Sequence, residues 1–131
     1  MKCDKLVLEI NQGCPRGFGF TIKQKIYNED EVTYTPLDLT GLEVEFLVKK
    51  APYYKLPSLI EKYITEATDL ADVGQITDAS NGKFYVQITL QDSIKLPPGE
   101  YALMIRIIDK DTVSHLSGDG NNYAIYRVCY Q

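Results

Sequence analysis

Apolar residues recur at every second position in three stretches of this chain. Leu42, Val44, Phe46 and Val48 alternate with Glu43, Glu45 and Lys49, and Phe84, Val86, Ile88 and Leu90 alternate with Lys83, Gln87 and Thr89. A period of two puts one set of side chains on each face of an extended strand, so both stretches predict half-buried strands. The third, Tyr101, Leu103, Ile105 and Ile107, has Ala102, Met104 and Ile108 between its apolar positions. A strand apolar on both faces predicts a central position with its second face partly covered.

Weaker strands are predicted over residues 5–10, 18–27, 32–35 and 123–130, each bounded by Gly, Pro, Asn or Asp. Between 59 and 67 two periods compete. Leu59, Ile60, Tyr63, Ile64 and Ala67 fit a helix, whereas Ile60, Lys62 and Ile64 fit a strand. The strand is preferred, and the alternative is a short helix near 58–67 with Ser58 as N-cap and Glu61 completing a capping box. The acidic residues 68–74 read as an exposed loop.

Turn chemistry supports the same picture. Asn81-Gly82 supplies positive-φ positions for a tight turn, Asp109-Lys110-Asp111 closes a hairpin, and Pro97-Pro98-Gly99 leads into the third alternating strand. Gly99-Glu100-Tyr101 has the form of a tyrosine corner, in which the Tyr101 hydroxyl bonds a nearby backbone group. About seven or eight short strands divided by such signals predict an all-β, antiparallel sandwich or barrel. At 131 residues there is room for one domain, residues 1–131.

Composition narrows the function classes. With 44% hydrophobic and 24% charged residues the chain is expected to fold. A net charge of -4 offers no positive field to a phosphate backbone, so nucleic acid is not an expected partner. Asp4, Lys5 and Glu9 interrupt the first ten residues, and no later stretch nears the roughly 18 apolar residues of a membrane helix, so neither a signal peptide nor membrane insertion is expected. Cys3, Cys14 and Cys129 form an odd set without C-x-x-C spacing, which points to reduced thiols in a cytosol.

The search for catalytic chemistry finds none. His115 is the only histidine, placed in a hairpin or loop and tied to no cysteine by sequence, so a Cys-His pair is not expected. The same shortage leaves no zinc-ligand spacing. Gly118, Asp119, Gly120, Asn121 and Asn122, with Asp109 and Asp111, make an oxygen-rich loop but lack the ligand order of a calcium-binding loop, and a plain turn is the better reading. Gly13, Gly17 and Gly19 do not have phosphate-loop spacing. Glu43, Glu45, Glu61 and Glu66 read mostly as solvated carboxylates. No catalytic residue, cofactor or metal is therefore expected.

Ten tyrosines without a tryptophan are more suggestive, because tyrosine combines contact area with a hydroxyl and is enriched at recognition surfaces. Tyr53, Tyr54 and Tyr63 are the candidate contact residues, with Arg106 and Arg127 as further interface candidates.

The order of several segments adds to this reading: Arg16-Gly17-Phe18-Gly19-Phe20-Thr21-Ile22, Pro36-Leu37-Asp38-Leu39-Thr40-Gly41, Val44-Glu45-Phe46, and Gly74-Gln75-Ile76-Thr77-Asp78. Asn81-Gly82-Lys83-Phe84-Tyr85-Val86, Pro98-Gly99-Glu100-Tyr101 and Arg106-Ile107-Ile108-Asp109 follow. Together, over most of the chain, they resemble the immunoglobulin-like domain at the N-terminus of tailed-phage baseplate upper proteins. Within that pattern Asp38, Thr40 and Gly41 shape the turn before a strand, since a side-chain oxygen bonds a following amide and glycine relaxes the bend.

The resemblance implies an immunoglobulin-like β-sandwich and a non-enzymatic structural protein of a phage or prophage particle, in tail, baseplate, neck or head decoration. It would be made in the host cytoplasm, reside in the virion and dock on other virion proteins in a homo- or hetero-oligomeric assembly. The alternative is a carbohydrate-binding β-sandwich module, suggested by the tyrosines and the polar loop 118–122.

Overall fold

The computed structural model describes residues 7–50, 57–109, 112–117 and 124–129. In chain order its strands are β1 (Val7–Asn11), β2 (Arg16–Thr21), β3 (Lys23–Asn28), β4 (Glu31–Pro36), β5 (Glu43–Lys50) and β6 (Ile60–Ile64). They continue with β7 (Gly74–Asp78), β8 (Lys83–Ile88), β9 (Gly99–Asp109), β10 (Thr112–Ser117) and β11 (Ala124–Cys129). A short helix, α1 (Leu90–Lys95), the one α-helix among the described residues, joins β8 to β9. The fold is all-β, with eleven strands among the described residues in place of the seven or eight expected.

The first sheet runs β1-β11-β9-β5-β6, with β10 also pairing β9; the second runs β2-β8-β7; β3 and β4 form a two-stranded ribbon. Strand β9 is the axis. It pairs with β5 along one edge, Tyr101 to Ile108 facing Lys50 to Glu43, and shares its other edge between β11 and β10. The pairings are antiparallel except that of β1 with β11, which is parallel and corrects the purely antiparallel expectation at that border.

The two larger sheets bury their facing sides in one core. Val44, Phe46, Leu103 and Ile105 come from the first, and Phe18, Phe84, Val86 and Ile88 from the second. The second face of β9 is covered as well, since Ala102 and Met104 are buried beside Leu47 of β5. Glu45, expected on a solvated face, is buried there and ion-paired with Arg106, its register partner on β9.

Three local expectations change. Residues 18–27 are two strands: β2 belongs to the second sheet, where Phe20 stacks on Phe84 at 5.0 Å, and β3 leaves after Ile22 to pair with β4. The alternation through Leu90 stops at Ile88, because the Thr89 hydroxyl accepts from the Asp92 amide and the Asp92 carboxylate accepts from the Thr89 amide. That capping box starts α1 and leaves Leu90 exposed. Asn81-Gly82 is not a two-residue hairpin turn: a single 3-10 turn, Ala79–Asn81, ends on Gly82, which alone takes positive φ. The preferred strand over 60–64 is present as β6, and β7 is an additional strand.

Inward-facing positions on β6 are Ile60, Lys62 and Ile64. Lys62 is therefore a cation aimed into the protein from an edge strand. Its ammonium lies 2.6 Å from the Asp92 carboxylate and donates to the Asp72 carbonyl at 2.8 Å. Burial raises the Asp92 carboxyl, but the hydrogen bonds from Lys62 and Thr89 and the Lys62 charge outweigh it and hold the group below its ordinary value. The Tyr126 hydroxyl, buried without a hydrogen-bond partner among the described residues, is pushed well up by burial first and by the Asp92 charge second.

Gly82 is irreplaceable for a different reason. It combines φ of +69° with carbonyl oxygens of Ile22 and Leu37 lying where a Cβ would project. Gly82→Ala is expected to lower stability by at least about 2 kcal/mol in urea denaturation, since left-handed strain and backbone displacement add.

Asp92→Asn is expected to lose about 3 kcal/mol at neutral pH, because the Lys62 charge keeps its burial without its counter-charge. A carboxyl depressed on folding contributes in full above its unfolded value of 3.8 and loses that contribution as pH falls through the folded one. The stability gap between native and variant proteins is thus expected to narrow below about pH 4, and an unchanged gap down to about pH 2 would contradict the ion-pair account.

Candidate functional site

Turns far apart in the chain converge at one place. The Asp38 carboxylate accepts from the Thr40 amide at 2.9 Å and from the Thr40 hydroxyl at 2.6 Å, and these two bonds, the hydroxyl's first, hold it below its ordinary value. Gly41 follows at φ of +75°, its amide donating to Glu66 at 3.3 Å. Within this turn the Leu39 amide donates to the Ala79 carbonyl at 2.8 Å, which ties it to the turn holding Asn81 and Gly82. The Asn81 side chain donates to Asp78 at 2.9 Å. Sequence singled out Asp38, Thr40, Gly41, Asn81 and Gly82 as turn formers without linking the two groups.

What these joined turns carry is the ribbon β3–β4. The Ile22 amide donates to the Gly82 carbonyl at 2.8 Å and the Leu37 amide to the Ile22 carbonyl at 3.0 Å, so both ends of the ribbon are clamped at its root. Beyond the root the two strands pack chiefly on each other, and neither pairs with a third strand among the described residues. All six residues of β4 are exposed. An isolated two-stranded ribbon is marginal in water, so this one depends on its anchored base.

Register sorts its side chains. Lys23 pairs with Pro36, Lys25 with Tyr34 and Tyr27 with Val32, and paired residues share a face. Pro36, Tyr34, Val32 and Tyr27 therefore line one side, shared near the root with Lys23, and on it Tyr27 is 72%, Tyr34 62% and Val32 48% exposed. Asn28 pairs with Glu31 across a two-residue tip, and Glu29 there holds φ of +34°, the one non-glycine residue with positive φ among the described residues. Glu29, Asp30 and Glu31 make the tip acidic, opposite in sign to Lys23 and Lys25 in the strand that leaves the root.

The other candidates are placed elsewhere. Tyr53 and Tyr54, the polar loop 118–122 and Lys110 and Asp111 lie outside the described residues. Tyr63 is half-exposed on the outer face of β6, in the first sheet; its hydroxyl donates to Glu61 at 3.0 Å, and that bond first, then burial, raises its pKa. Gly99 opens β9, and the Tyr101 hydroxyl donates to the Pro97 carbonyl at 2.7 Å, a local bond that pins the strand entry.

Arg106 is engaged by Glu45, and Arg127 bridges Glu9 at 2.6 Å and Glu100 at 2.8 Å, so both serve the first sheet internally. His115 lies in strand β10 of the β9–β10 hairpin, in register with Arg106, which fits the hairpin reading and not the loop. Cys14 and Cys129 are half-buried. Glu45, Glu61 and Glu66 each have a separate partner, and among the described residues no group of three metal-ligating side chains converges. No described helix is long and apolar enough to cross a membrane.

The tyrosines that count here, Tyr27 and Tyr34, were hidden in sequence by reading 18–27 as one strand. The available signal was the two-residue spacer Glu29-Asp30, which brings Tyr27 opposite Val32 and places Tyr34 on the same face. No protein-family model matches the chain, and no curated protein matches it.

Solvent-facing residues contribute little to folding. Replacing Tyr27, Val32 and Tyr34 together by serine is expected to change the stability of the body by no more than about 0.5 kcal/mol per site. A larger loss in thermal unfolding would mean that this face packs on the body.

Proposed function

We propose that this chain is a non-enzymatic structural protein of a tailed-phage or prophage particle, built as an immunoglobulin-like sandwich and docked on other virion proteins. The observation that carries the docking role is the apolar ribbon face, held out from the body on a clamped root. A contiguous aromatic and aliphatic face on a projecting element, rimmed by charge, is the composition of a protein-binding surface. Strand addition to its open edges is a second means of engagement on the same element.

The particle setting is supported by the ordered segments that resemble the baseplate upper protein domain, including the Asp38-Leu39-Thr40-Gly41 turn and the Pro98-Gly99-Glu100-Tyr101 entry. In this chain both do structural work, the first at the ribbon root and the second at the start of β9.

Mass spectrometry of purified particles from the phage or prophage that encodes the chain is expected to find it at stoichiometric level. Particles carrying the serine-substituted ribbon face are expected to lose it while the soluble protein stays folded. Absence of the native protein from particles would overturn the proposal.

A further inference from the structure

The ribbon face has a charge pattern that selects one occupant. Three carboxylates, Glu29, Asp30 and Glu31, stand at the tip, and two lysines, Lys23 and Lys25, lie in the first half of β3 next to the root. At about 3.3 Å per residue, five residues of strand separate the acidic end from the basic end by about 16 Å. Between them lies the apolar patch of Tyr27, Val32 and Tyr34. The ribbon is thus a short electrostatic dipole with an apolar middle.

Such a surface is complementary to itself when one copy is turned end over end. We infer that two copies of this chain associate through their ribbons, face to face about a two-fold axis, with the acidic tip of each set on the basic root of the other. The two-fold operation makes every contact twice, which is the usual economy of an isologous dimer. The opposite alignment, tip on tip, sets the two acidic tips, each with Glu29 and Asp30, against one another and is disfavoured by like-charge repulsion.

Size sets the strength. Each aromatic side chain has at most about 150–250 Å² to bury, so two tyrosines and a valine per copy give a total near 1,000 Å² or less. That belongs to weak, reversible association, and the dimer is expected in the micromolar range and to weaken as salt screens the tip-to-root pairs. A contact of this strength suits subunits that join many others in a particle, so the inference rests on the docking role proposed above.

Sedimentation velocity of the full chain over a concentration series tests it. The native protein is expected to show a reversible monomer–dimer equilibrium, weaker at high salt. Lys23→Glu with Lys25→Glu, and separately Glu29→Lys with Asp30→Lys and Glu31→Lys, are each expected to weaken self-association at least about tenfold. An equimolar mixture of the two variants is expected to regain a dimer, because each tip again meets an opposite root.

Circular dichroism and thermal unfolding verify that the variants are folded, and Tyr34→Ser, which leaves the charges in place, is expected to weaken the dimer as well. A native protein that stays monomeric to several hundred micromolar, or a dimer indifferent to all three changes, would overturn the inference. Either result leaves the particle-composition test standing, and a dimer found for a protein absent from particles would retain the inference while removing its phage setting.

Discussion

Hydrogen bonding along both edges of β9, combined with burial of both its faces, is the constraint on which the rest of the structure rests. One edge is committed to β5, the other to β11 and β10, while Leu103 and Ile105 face the shared core and Ala102 and Met104 the opposite side. A strand enclosed in this way tolerates neither a register slip nor a polar intruder without a partner, because a slip of one residue exchanges its two faces. Its ionic exception obeys the rule in part: Arg106 is met by Glu45 directly across the ladder, while its Nε is buried without a hydrogen-bond partner among the described residues. With β9 fixed, the first sheet has a frame against which the second can close.

The far border of that frame, strand β6, solves a different problem. An edge strand exposes unpaired backbone groups, and a charge aimed inward is one device that discourages another chain from adding there. Lys62 has that orientation, and Asp92 and the Asp72 carbonyl satisfy it. The acid arrives from α1, whose own start depends on the same carboxylate through the Thr89 capping box. One side chain therefore caps a helix, neutralises a buried cation and joins the connection between the two sheets to the edge of one of them.

Sequence patterning revealed the elements that obey a single rule. Strands β5, β8 and β9 each bury alternate residues on the core side, and alternation is legible because burial acts on every second position alike. The second covered face of β9 was legible too, from Ala102 and Met104. What escaped involved competition between rules. Leu90 continued the strand pattern, but Thr89 and Asp92 cap a helix there, and the local hydrogen bonds won.

Ile22 continued a run of β-forming residues, yet its amide and carbonyl are taken by Gly82 and Leu37, a tertiary requirement that no local pattern records. The ribbon was harder still. Periodicity tells which residues share a face but not whether the face meets a core or solvent, so Tyr27, Val32 and Tyr34 could not be distinguished from core residues before their setting was known. The parallel partnership of β1 and β11 carries a consequence for biosynthesis. Leu8 and Ile10 are synthesised long before the neighbour beside them, which begins at Ala124. Nascent chain emerging from a ribosome can form the β5–β6 and β7–β8 hairpins as they appear, but among the described strands the partner of β1 is not complete until translation has passed residue 129. Closing so distant a contact is slow, and apolar residues that wait for it are exposed to chaperones and to other chains in the meantime. Chains interrupted before residue 124 would accordingly be more prone to clump, and synthesis of β11 is the event that lets β1 take its place in the sheet.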